Sequence, residues 1–494
     1  MFCDPITRAE LLRRAGAGVA GLAAAGGGAY GLSRLLDDDA DARLLASPVA
    51  GTAYRFRSRP DLRPPVVRIV KKAGATGDGY LLLAPTSGPG QRGTMIVDNA
   101  GHVVWFRRTQ KTAINLRAAL FEGKPVLTWW EGKVGEEGLG RGEHVIVDSS
   151  YREIARFPAG HRRGGDVHEL VLTPNGTALI TAWGKVTRNL LGRSGRRRHT
   201  IIDGIAQEVE ISSARVLHEW RSIDHVGLDE THVGVGPRFD YFHINSIDLA
   251  PDGDWIICAR NTWAVYKVSP KTGEIVWRLG GKRSNFTMGP GTKFAWQHDA
   301  RLHGKGRISI FDNGAAPPVE PQSRGLTMRV DEAKMRATLL HAYTHRPHKL
   351  LAHYMGSMQV LPNGNAVVGW GSEPYMTEFA QDGSIVFDAR LPRGGQTYRV
   401  VRMPWTGRPA AGPRLTSARV DGKARLYASW NGSTELAAWH VRSGSRATKL
   451  HDAATIPATG FETAIELLNK ASYAAVTALD ASGKRLATSR TIRV

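Results

Sequence analysis

Short apolar runs that alternate with polar positions fill the chain from about residue 50 to residue 405. Gly, Pro, Asn and Asp turns interrupt these runs, and long stretches with the period of an amphipathic helix are almost absent. Short runs of period two between turn residues are typical of β-strands. The pattern therefore predicts an all-β region.

Two sequence units recur within this region. The first is an apolar strand, a turn and a second strand, and its five copies are LRAALFEGKPVLTWW (116–130), HELVLTPNGTALITAW (168–183), NSIDLAPDGDWIICAR (245–260), HDARLHGKGRISIFD (298–312) and SMQVLPNGNAVVGWG (357–371). The second is a turn followed by a strand with one aromatic residue, and the aromatic residues of its six copies are Trp105, Phe157, Trp220, Trp277, Tyr343 and Phe387. A supersecondary unit that recurs in this way indicates a repeat architecture.

The spacing of the aromatic strands predicts the kind of repeat. Successive aromatic residues are 44 to 66 residues apart, which is close to one four-stranded propeller blade with its loops. We therefore expect a six-bladed β-propeller over 51–405. Its missing inner strand pair is expected from GYLLLAP (79–85) and QTYRVVRMP (396–404), which would complete one blade from both ends of the domain and remove an exposed sheet edge. A pair of β-sandwiches is the structural alternative.

The pattern changes after the Pro- and Gly-rich linker PWTGRPAAGPR (404–414). Longer alternating strands follow it, and they predict a small immunoglobulin- or fibronectin-like β-sandwich over 406–494. Trp430 and Trp439 are expected in the core of this domain. No catalytic grouping of residues is found in its sequence.

The first 50 residues have the pattern of an export signal. Arg13 and Arg14 precede an Ala- and Gly-rich apolar run of about 18 residues, which is similar to a bacterial twin-arginine signal. The run is marginal for a bilayer span, and cleavage and retention as a membrane anchor are both compatible with it. A disordered or amphipathic tail is the alternative. We expect an exported protein, either extracellular or attached to the cell envelope through this segment.

Charge and cysteine usage narrow the classes of partner. Lys and Arg outnumber Asp and Glu by 66 to 45, giving a net charge of +21, which favours anionic partners. The basic residues are spread along the chain without a recognition motif, so a nucleic-acid partner is not expected. Cys3 and Cys258 are the only cysteines and lie in the export signal and a mid-chain strand. A structural disulfide is therefore not expected, and a CxxC site is excluded.

Three histidines occupy similar positions in successive repeats. His168 and His298 each stand eight residues before the turn glycine of their unit, and His243 stands ten residues before its own. Because side chains alternate along a strand, a shift of two residues keeps His243 on the same face. Innermost propeller strands begin at one mouth of the channel, so we expect the three imidazoles in one small volume. Structural hydrogen bonding and zinc binding are the alternatives.

Arg260 ends the strand that follows His243, where a charge is costly unless an anion or a carboxylate accompanies it. A substrate anion and an inter-blade salt bridge are both compatible with this position. Asn245, Gln297 and Asn313 are weaker candidates for substrate binding.

The segment after His298 raises a separate question, because Asp299 and Arg301 stand where apolar residues would be easier to bury. Simple alternation puts Arg301, three residues from His298, on the opposite strand face. We therefore expect Asp299 and Arg301 to be structural partners between blades.

At these residues the sequence resembles the bacterial arylsulfotransferases. The resemblance covers roughly 55–405 and is most specific at FHINSIDLAPDGDWIICARN and WQHDARL. It implies a six-bladed propeller exported to the periplasm or cell surface. The N-terminal portion and the lack of a cysteine pair resemble a divergent actinobacterial or fungal branch of the family.

The resemblance also implies residue roles. His298 matches the histidine that becomes transiently sulfated, His243 and Arg260 match its anion-binding and acid/base partners, and His168 matches the first-blade histidine. The implied reaction transfers a sulfuryl group from an aryl sulfate to a phenol in a ping-pong cycle, without a metal, a nucleotide sulfate or another cofactor. The sequence leaves the natural donor, the acceptor and the oligomeric state open.

A catalytically silent envelope propeller that binds anionic phenols or sugars is the alternative function. A quinone-dependent propeller dehydrogenase is a more distant one, because the sequence has no adjacent cysteine pair and no clear set of calcium ligands.

Overall fold

Antiparallel β-structure dominates the chain, with 53% of residues in strands and 2% in helices. The prediction of an all-β protein is therefore confirmed. The computed structural model describes residues 52–135, 137–192, 195–467 and 471–494. The predicted export signal at 1–50, with its arginine pair and Cys3, lies outside the described residues. Within those residues, no helix has the length and apolar character needed to cross a bilayer.

The strands up to the middle of the chain are short and separated by turns. They are β1 (Arg68–Lys72), β2 (Tyr80–Ser87), β3 (Gly93–Val97), β4 (Val103–Arg108), β5 (Thr112–Phe121), β6 (Lys124–Val134), β7 (Gly140–Val147), β8 (Glu153–Phe157), β9 (Leu170–Leu172), β10 (Thr177–Gly192), β11 (Gly195–Glu210), β12 (Val216–Arg221), β13 (Arg238–Phe239), β14 (Ile244–Leu249), β15 (Trp255–Ala259), β16 (Ala264–Val268) and β17 (Ile275–Gly280). A helical turn, α1 (Ser222–His225), and a 3₁₀ turn (Leu228–Glu230) interrupt them.

The remaining strands continue the same organisation. They are β18 (Thr287–Met288), β19 (His298–His303), β20 (Arg307–Asp312), β21 (Arg324–Asp331), β22 (Arg336–Tyr343), β23 (Ser357–Val360), β24 (Ala366–Gly369), β25 (Tyr375–Phe379), β26 (Ile385–Arg390), β27 (Gln396–Met403), β28 (Arg414–Val420), β29 (Lys423–Ser429), β30 (Ala438–Arg446), β31 (Lys449–Pro457), β32 (Glu462–Glu466), β33 (Tyr473–Leu479), β34 (Arg485–Thr488) and β35 (Ile492–Arg493).

The chain divides into two compact units, of which the larger comprises Val67–Gly101 and Arg107–Trp405. Five of its sheets contain four consecutive antiparallel strands each, namely β5–β8, β9–β12, β14–β17, β19–β22 and β23–β26. The five strand-turn-strand units found in the sequence are the first two strands of these sheets. The aromatic residues of β8, β12, β17, β22 and β26 are all buried on the fourth strands.

A sixth sheet joins the two ends of this unit. β2, from the GYLLLAP segment, pairs with β27, from QTYRVVRMP, in a ladder that runs from Tyr80 opposite Met403 to Ser87 opposite Gln396. The predicted pairing of these two segments is confirmed. β27 also contacts β5 and β23, and the first strands β5, β9, β14, β19 and β23 contact one another in that order. The order of contacts is therefore cyclic.

The smaller unit includes Thr406–Val494. It contains one sheet ordered β28-β29-β32 and a second ordered β31-β30-β33-β34, in which β35 also pairs with β33. Trp439 is fully buried in its apolar core, and Trp430 is partly buried against that core, as the sequence predicts. An immunoglobulin-like topology for this unit stays a prediction.

Candidate active site

A cavity of about 870 Å³ is lined by residues at the beginnings of the inner strands. His168, His243, Arg260 and His298 all line it. The rings of His168 and His243 meet edge to face, with their centroids 5.0 Å apart. The structure thus brings together the four side chains that the sequence singles out as catalytic, while their catalytic roles stay predictions.

The backbone is irregular where the inner strands begin, and this irregularity sets the directions of the side chains there. The register between β19 and β20 shifts between His298 and Arg301, and His243 and Asp299 have φ angles of 54° and 56°, which are uncommon for residues other than glycine. A bulge adds one residue to a strand and redirects the side chains beside it. The argument that alternation puts Arg301 opposite to His298 therefore does not hold.

Asn313 fixes the proton position on His298. The Nδ2 group of Asn313 donates to the carbonyl oxygens of Ala352 and Met355, both at 2.9 Å. Its Oδ1 atom is thereby turned toward Nδ1 of His298, at 2.7 Å, so Nδ1 carries the proton and donates it. In the described residues no protein group hydrogen-bonds Nε2 of His298. The neutral imidazole therefore offers an Nε2 lone pair.

The surroundings of His298 keep it neutral. Burial lowers its pKa well below the usual 6.5, the charge of Arg260 lowers it further, and the hydrogen bond with Asn313 opposes these effects. A buried imidazole next to a guanidinium gains little from a second positive charge. His298 is consequently in its nucleophilic, unprotonated form at neutral pH.

The other two histidines have carboxylate partners instead. Nδ1 of His168 is hydrogen-bonded to Asp166, and Nδ1 of His243 lies 2.5 Å from Oδ2 of Asp240. Burial by itself raises the pKa of Asp166, but His168 and the backbone amide of Gly140 hold it below its usual value. A carboxylate behind an imidazole orients the ring and stabilises the imidazolium that forms when Nε2 takes a proton.

Sequence reasoning missed both of these carboxylates. Asp166 and Asp240 stand two and three residues before their histidines, ahead of the strands, where period-two alternation does not apply. An acidic residue at this short distance before each of two histidines of the trio was the available signal, and His298 lacks it.

The guanidinium of Arg260 has polar partners but no ion-pair partner within the described residues. Its guanidinium packs over the ring of Trp296, 4.8 Å from the centroid, and donates to Oδ1 of Asn261 at 2.9 Å and to the carbonyl of His353 at 3.4 Å. None of the ion pairs within the described residues involves it, so the inter-blade salt bridge considered from the sequence is not formed there. Burial lowers its pKa to about 10, which leaves a cation in the cavity wall.

The three predicted substrate-binding amides lie behind the cavity lining. Asn245 donates to the carbonyl of Gln297 at 2.7 Å, and Gln297 donates to the carbonyls of Ala259 at 2.9 Å and Ala264 at 3.1 Å. Asn313 contacts His298 as described. Their amide groups hold neighbouring strands and one histidine in place, while substrate contact by any of the three stays a prediction.

Tyr398 is a further cavity residue that the sequence did not reveal. Its ring stands edge-on to those of His168 and His298, with centroid distances of 5.6 and 6.1 Å. Its hydroxyl is buried without a hydrogen-bond partner in the described residues, and burial raises its pKa well above 10. It lies on β27, which is not a copy of either repeated unit.

The polar connection HAYTHRPHKLLAH (341–353) is predicted from the sequence to hold surface histidines, with a loop over the channel mouth as the alternative. His341 and His348 are exposed, as expected of surface residues, and His353 reaches the cavity lining, as expected of a loop over the mouth. The expectation of a surface position is wrong for His345, which is buried and lies 3.2 Å from Asp388.

Beneath the histidines lies a buried ionic network, which contains the two residues after His298. Glu169 accepts hydrogen bonds from Arg399, at 3.0 and 3.2 Å, and from Arg301. Arg301 also donates to Asp299, at 2.8 Å, and Arg117 approaches Glu169 to 3.5 Å. These residues come from four different sheets or the loops that lead into them, in agreement with the expected structural role of Asp299 and Arg301.

Groups of three or more His, Cys, Asp or Glu side chains with the geometry of a metal site do not occur in the described residues. The cavity instead combines a neutral imidazole, two carboxylate-backed imidazoles and an unpaired guanidinium. The class of protein defined by this arrangement is an all-β protein with a buried, cationic histidine pocket.

Comparison with known proteins gives the family. The family model described as Arylsulfotransferase (ASST) matches residues 117–391, more than half of the chain. The chain therefore belongs to the arylsulfotransferase family, and the match does not resolve a branch within it. No curated protein matches the chain.

Solved structures resemble the chain only distantly. A protein of unknown function from Bacteroides caccae is 12% identical, with 65% of this chain and 98% of that chain covered and a TM-score of 0.41. One from Dyadobacter fermentans is 9% identical, with 75% and 96% covered and a TM-score of 0.34. Kuenenia stuttgartiensis hydrazine synthase is 14% identical, with 69% and 86% covered and a TM-score of 0.31. At these TM-scores the likenesses define neither fold nor function.

Proposed function

We propose that the protein transfers a sulfuryl group from an aryl sulfate ester to a phenolic acceptor through a sulfohistidine on His298. The observation that carries this proposal is the fixed tautomer of His298, because Asn313 holds the proton on Nδ1 and leaves the Nε2 lone pair for attack. Membership of the arylsulfotransferase family supports it.

In the first half-reaction, Nε2 of His298 forms a bond to sulfur while the bond from sulfur to the aryl oxygen breaks. The leaving phenoxide takes a proton from Nε2 of a carboxylate-backed histidine, either His168 or His243. In the second half-reaction the acceptor phenol gives its proton back to that histidine and attacks sulfur. The S–N bond breaks and neutral His298 returns.

The charge of Arg260 suits the transition state of this transfer. Transfer of a sulfuryl group, like that of a phosphoryl group, passes through a loose transition state with negative charge on the equatorial oxygens. A guanidinium without an ion-pair partner among the described residues can direct its donors toward those oxygens. Packing over Trp296 restricts the position of the guanidinium before substrate arrives.

The fold that positions this site is proposed to be a six-bladed β-propeller. Six sheets of repeated organisation, the cyclic contacts of their inner strands and the pairing of β2 with β27 support it. In such a ring the strand starts converge at one mouth of the channel, which is where the histidine cavity opens.

The test is incubation with a panel of aryl sulfates, followed by peptide mass analysis and assay of released phenol. We expect an added sulfuryl group on the peptide that contains His298 and its loss in His298→Asn. His451→Asn, which changes an exposed histidine of the smaller unit, serves as the matched control. Absence of both adduct and phenol release across the panel, with ligand binding retained, would instead support the non-catalytic binding function.

A further inference from the structure

A second groove lies at the far end of β19 from the histidine cavity. His298 begins this strand and His303 ends it, a separation of roughly 16 Å at the usual rise of a strand. The groove has a volume of about 480 Å³ and is lined by the β19–β22 sheet and by the turn between β23 and β24. The groove and the histidine cavity have no lining residue in common, although β19 contributes one histidine to each.

Strand pairing puts a row of cationic and polar side chains on the floor of this groove. His303 pairs with Arg307, and Arg307 pairs with Arg329, across three adjacent strands. In the next row Thr327 pairs with His341. Residues directly opposite in an antiparallel ladder share a face, with Cβ atoms about 5 Å apart. The ladder therefore fixes Arg307 and Arg329 side by side.

The charges in this row are uncompensated. Two like charges directly opposite destabilise a sheet, and in the described part of the chain neither Arg307 nor Arg329 makes a side-chain hydrogen bond or an ion pair. The groove lining contains both arginines and two histidines but no Asp or Glu. Burial, and after it the charges of Arg307 and Arg301, lower the pKa of His303 to about 4, so its imidazole is neutral at pH 7 and adds no positive charge to the row.

A buried hydroxyl also lacks a partner here. The Oγ1 atom of Thr327 is buried without a hydrogen bond to any described residue, and Thr327 is 8% exposed. Leaving such a group unsatisfied costs free energy. Apolar side chains line other parts of the groove, namely Leu340 and Tyr343 on β22 and Val360 and Leu361 at the end of β23, together with the polar residues Asn363 and Gln381.

We propose that this groove is a binding site for a small organic anion, with its anionic head between Arg307 and Arg329 and its apolar body against Tyr343 and Leu361. The two guanidiniums supply charge-assisted hydrogen bonds, and the Thr327 hydroxyl donates a further one. Sulfate, phosphate and carboxylate heads share this chemistry. The site is separate from the proposed sulfuryl transfer.

The test is calorimetric titration of the full chain with 4-fluorobenzenesulfonate. Because Arg260 is also expected to bind this probe, the titrations use Arg260→Gln as background. In that background we expect Arg307→Gln with Arg329→Gln to weaken binding at least tenfold, and Thr327→Val to weaken it about threefold. The control pair Arg336→Gln with Arg393→Gln removes two exposed charges outside the groove and is expected to change affinity less than threefold.

Head and body contributions are separated with two further probes. The neutral 4-fluorobenzenesulfonamide tests the charge and is expected not to bind, while inorganic sulfate tests the apolar body and is expected to bind at least tenfold more weakly. Equal affinities of the groove pair and the control pair, or equal binding of the sulfonamide, would overturn the proposal. Absence of aryl sulfate turnover leaves these titrations interpretable, because they use no donor chemistry.

Discussion

Asn313 and His298 form the hydrogen bond that distinguishes one histidine of the cavity from the other two. Oδ1 of Asn313 lies 2.7 Å from Nδ1 of His298, whereas His168 and His243 have Asp166 and Asp240 at the equivalent atom. A neutral amide fixes the tautomer without stabilising an imidazolium, and a carboxylate does both. The partners therefore separate a nucleophile from two candidates for proton transfer.

Replacing Asn313 with Asp is expected to shift the pH dependence of sulfohistidine formation. The pKa of His298 is well below 6.5 in the native protein, so with 4-nitrophenyl sulfate, whose phenoxide leaves without a proton, we expect the rate to stay level as pH falls from 8 to 6. An adjacent carboxylate favours the protonated ring, so in Asn313→Asp the rate should fall over the same range. Rapid-quench measurement of the adduct against pH gives the two profiles.

Folding needs a separate control in this experiment, because an aspartate would face the carbonyls of Ala352 and Met355. Thermal unfolding of Asn313→Asp and of Asn313→Ala checks it. In Asn313→Ala the tautomer is no longer fixed but no charge is added, so the rate should drop at every pH without a shifted profile. Identical profiles in all three proteins would contradict the assigned role of Asn313.

Arg260 is expected to supply most of the affinity for the sulfate group. Arg260→Gln removes a cation that forms no ion pair in the part of the chain that the structure describes, and hydrogen bonds to charged groups contribute about 1.5–3 kcal/mol each. We therefore expect 4-nitrophenyl sulfate to bind roughly 10- to 100-fold more weakly, as measured by titration in a His298→Asn background to prevent turnover. Arg393→Gln is the control for a change in net charge. A loss no greater than in this control would remove Arg260 from the site.

The two carboxylate-backed histidines can be told apart by leaving-group dependence. Asp240→Asn and Asp166→Asn each keep the size of the side chain but weaken stabilisation of the imidazolium. One of the two variants weakens the histidine that donates the proton. With phenyl sulfate, we expect that variant to slow transfer by a factor at least ten times larger than with 4-nitrophenyl sulfate, because 4-nitrophenoxide leaves without a proton. Rates of phenol release decide between them. Equal slowing with both donors, in both variants, would assign these dyads to positioning alone.

The positions of residues within the repeated sequence units predicted the three histidines of this site. The residues that were not predicted depend on local backbone geometry, which these units do not reveal. His168, His243 and His298 could be found because each stands near the start of a copied strand. Asp166 precedes its strand, and Tyr398 lies on a strand outside the repeated sequence units. Neither residue therefore occupies a position that recurs from one unit to the next. The bulge after His298 adds one residue to the strand, and the pattern of apolar residues does not indicate its presence.

The all-β class of the chain could be predicted for a similar reason. Apolar runs with turn glycines define hairpins locally, while the six blades inferred from the aromatic strands stay a prediction. The pairing of the two ends of the larger unit followed from the need to cover an edge strand. Which charges would meet in the ionic network around Glu169 could not be predicted, because its members are far apart in sequence and come from different sheets.

His144 is expected to make stability depend on pH. It is fully buried with no partner for either ring nitrogen in the described residues, and burial lowers its pKa to about 4. The unfolded chain binds a proton near pH 6.5 and the folded protein does not, so stability is complete above pH 6.5 and is lost as pH falls toward 4. The loss is on the order of 3 kcal/mol.

His144→Leu should therefore flatten the decline of unfolding free energy between pH 7 and pH 4.5, as measured by urea denaturation. It should also be neutral or stabilising at pH 7, because it removes two unsatisfied polar atoms. His451→Gln, at an exposed histidine, should leave the slope unchanged. A variant as acid-sensitive as the parent protein would show that His144 is not the titrating group.

Glu169 is expected to be the most sensitive charge in the core. Burial raises its pKa, but Arg301, Arg399 and Arg117 lower it more, and the net shift is downward. Glu169→Gln leaves those three arginines with Asp299 and Asp248 as their near carboxylates. Breaking a buried ionic network in this way costs about 3–5 kcal/mol, measured as unfolding free energy in urea.

The exposed pair Asp229–Arg283, at 2.7 Å, provides the matched control, since exposed pairs contribute about 0–1 kcal/mol. Asp229→Asn should therefore change stability little. Adding Arg117→Met to Glu169→Gln should recover part of the loss, because it removes one of the positive charges that Glu169 no longer balances while keeping the apolar part of the side chain. If Glu169→Gln is no more destabilising than Asp229→Asn, or if the second change adds a further loss, the network does not hold the strands together through its charge balance.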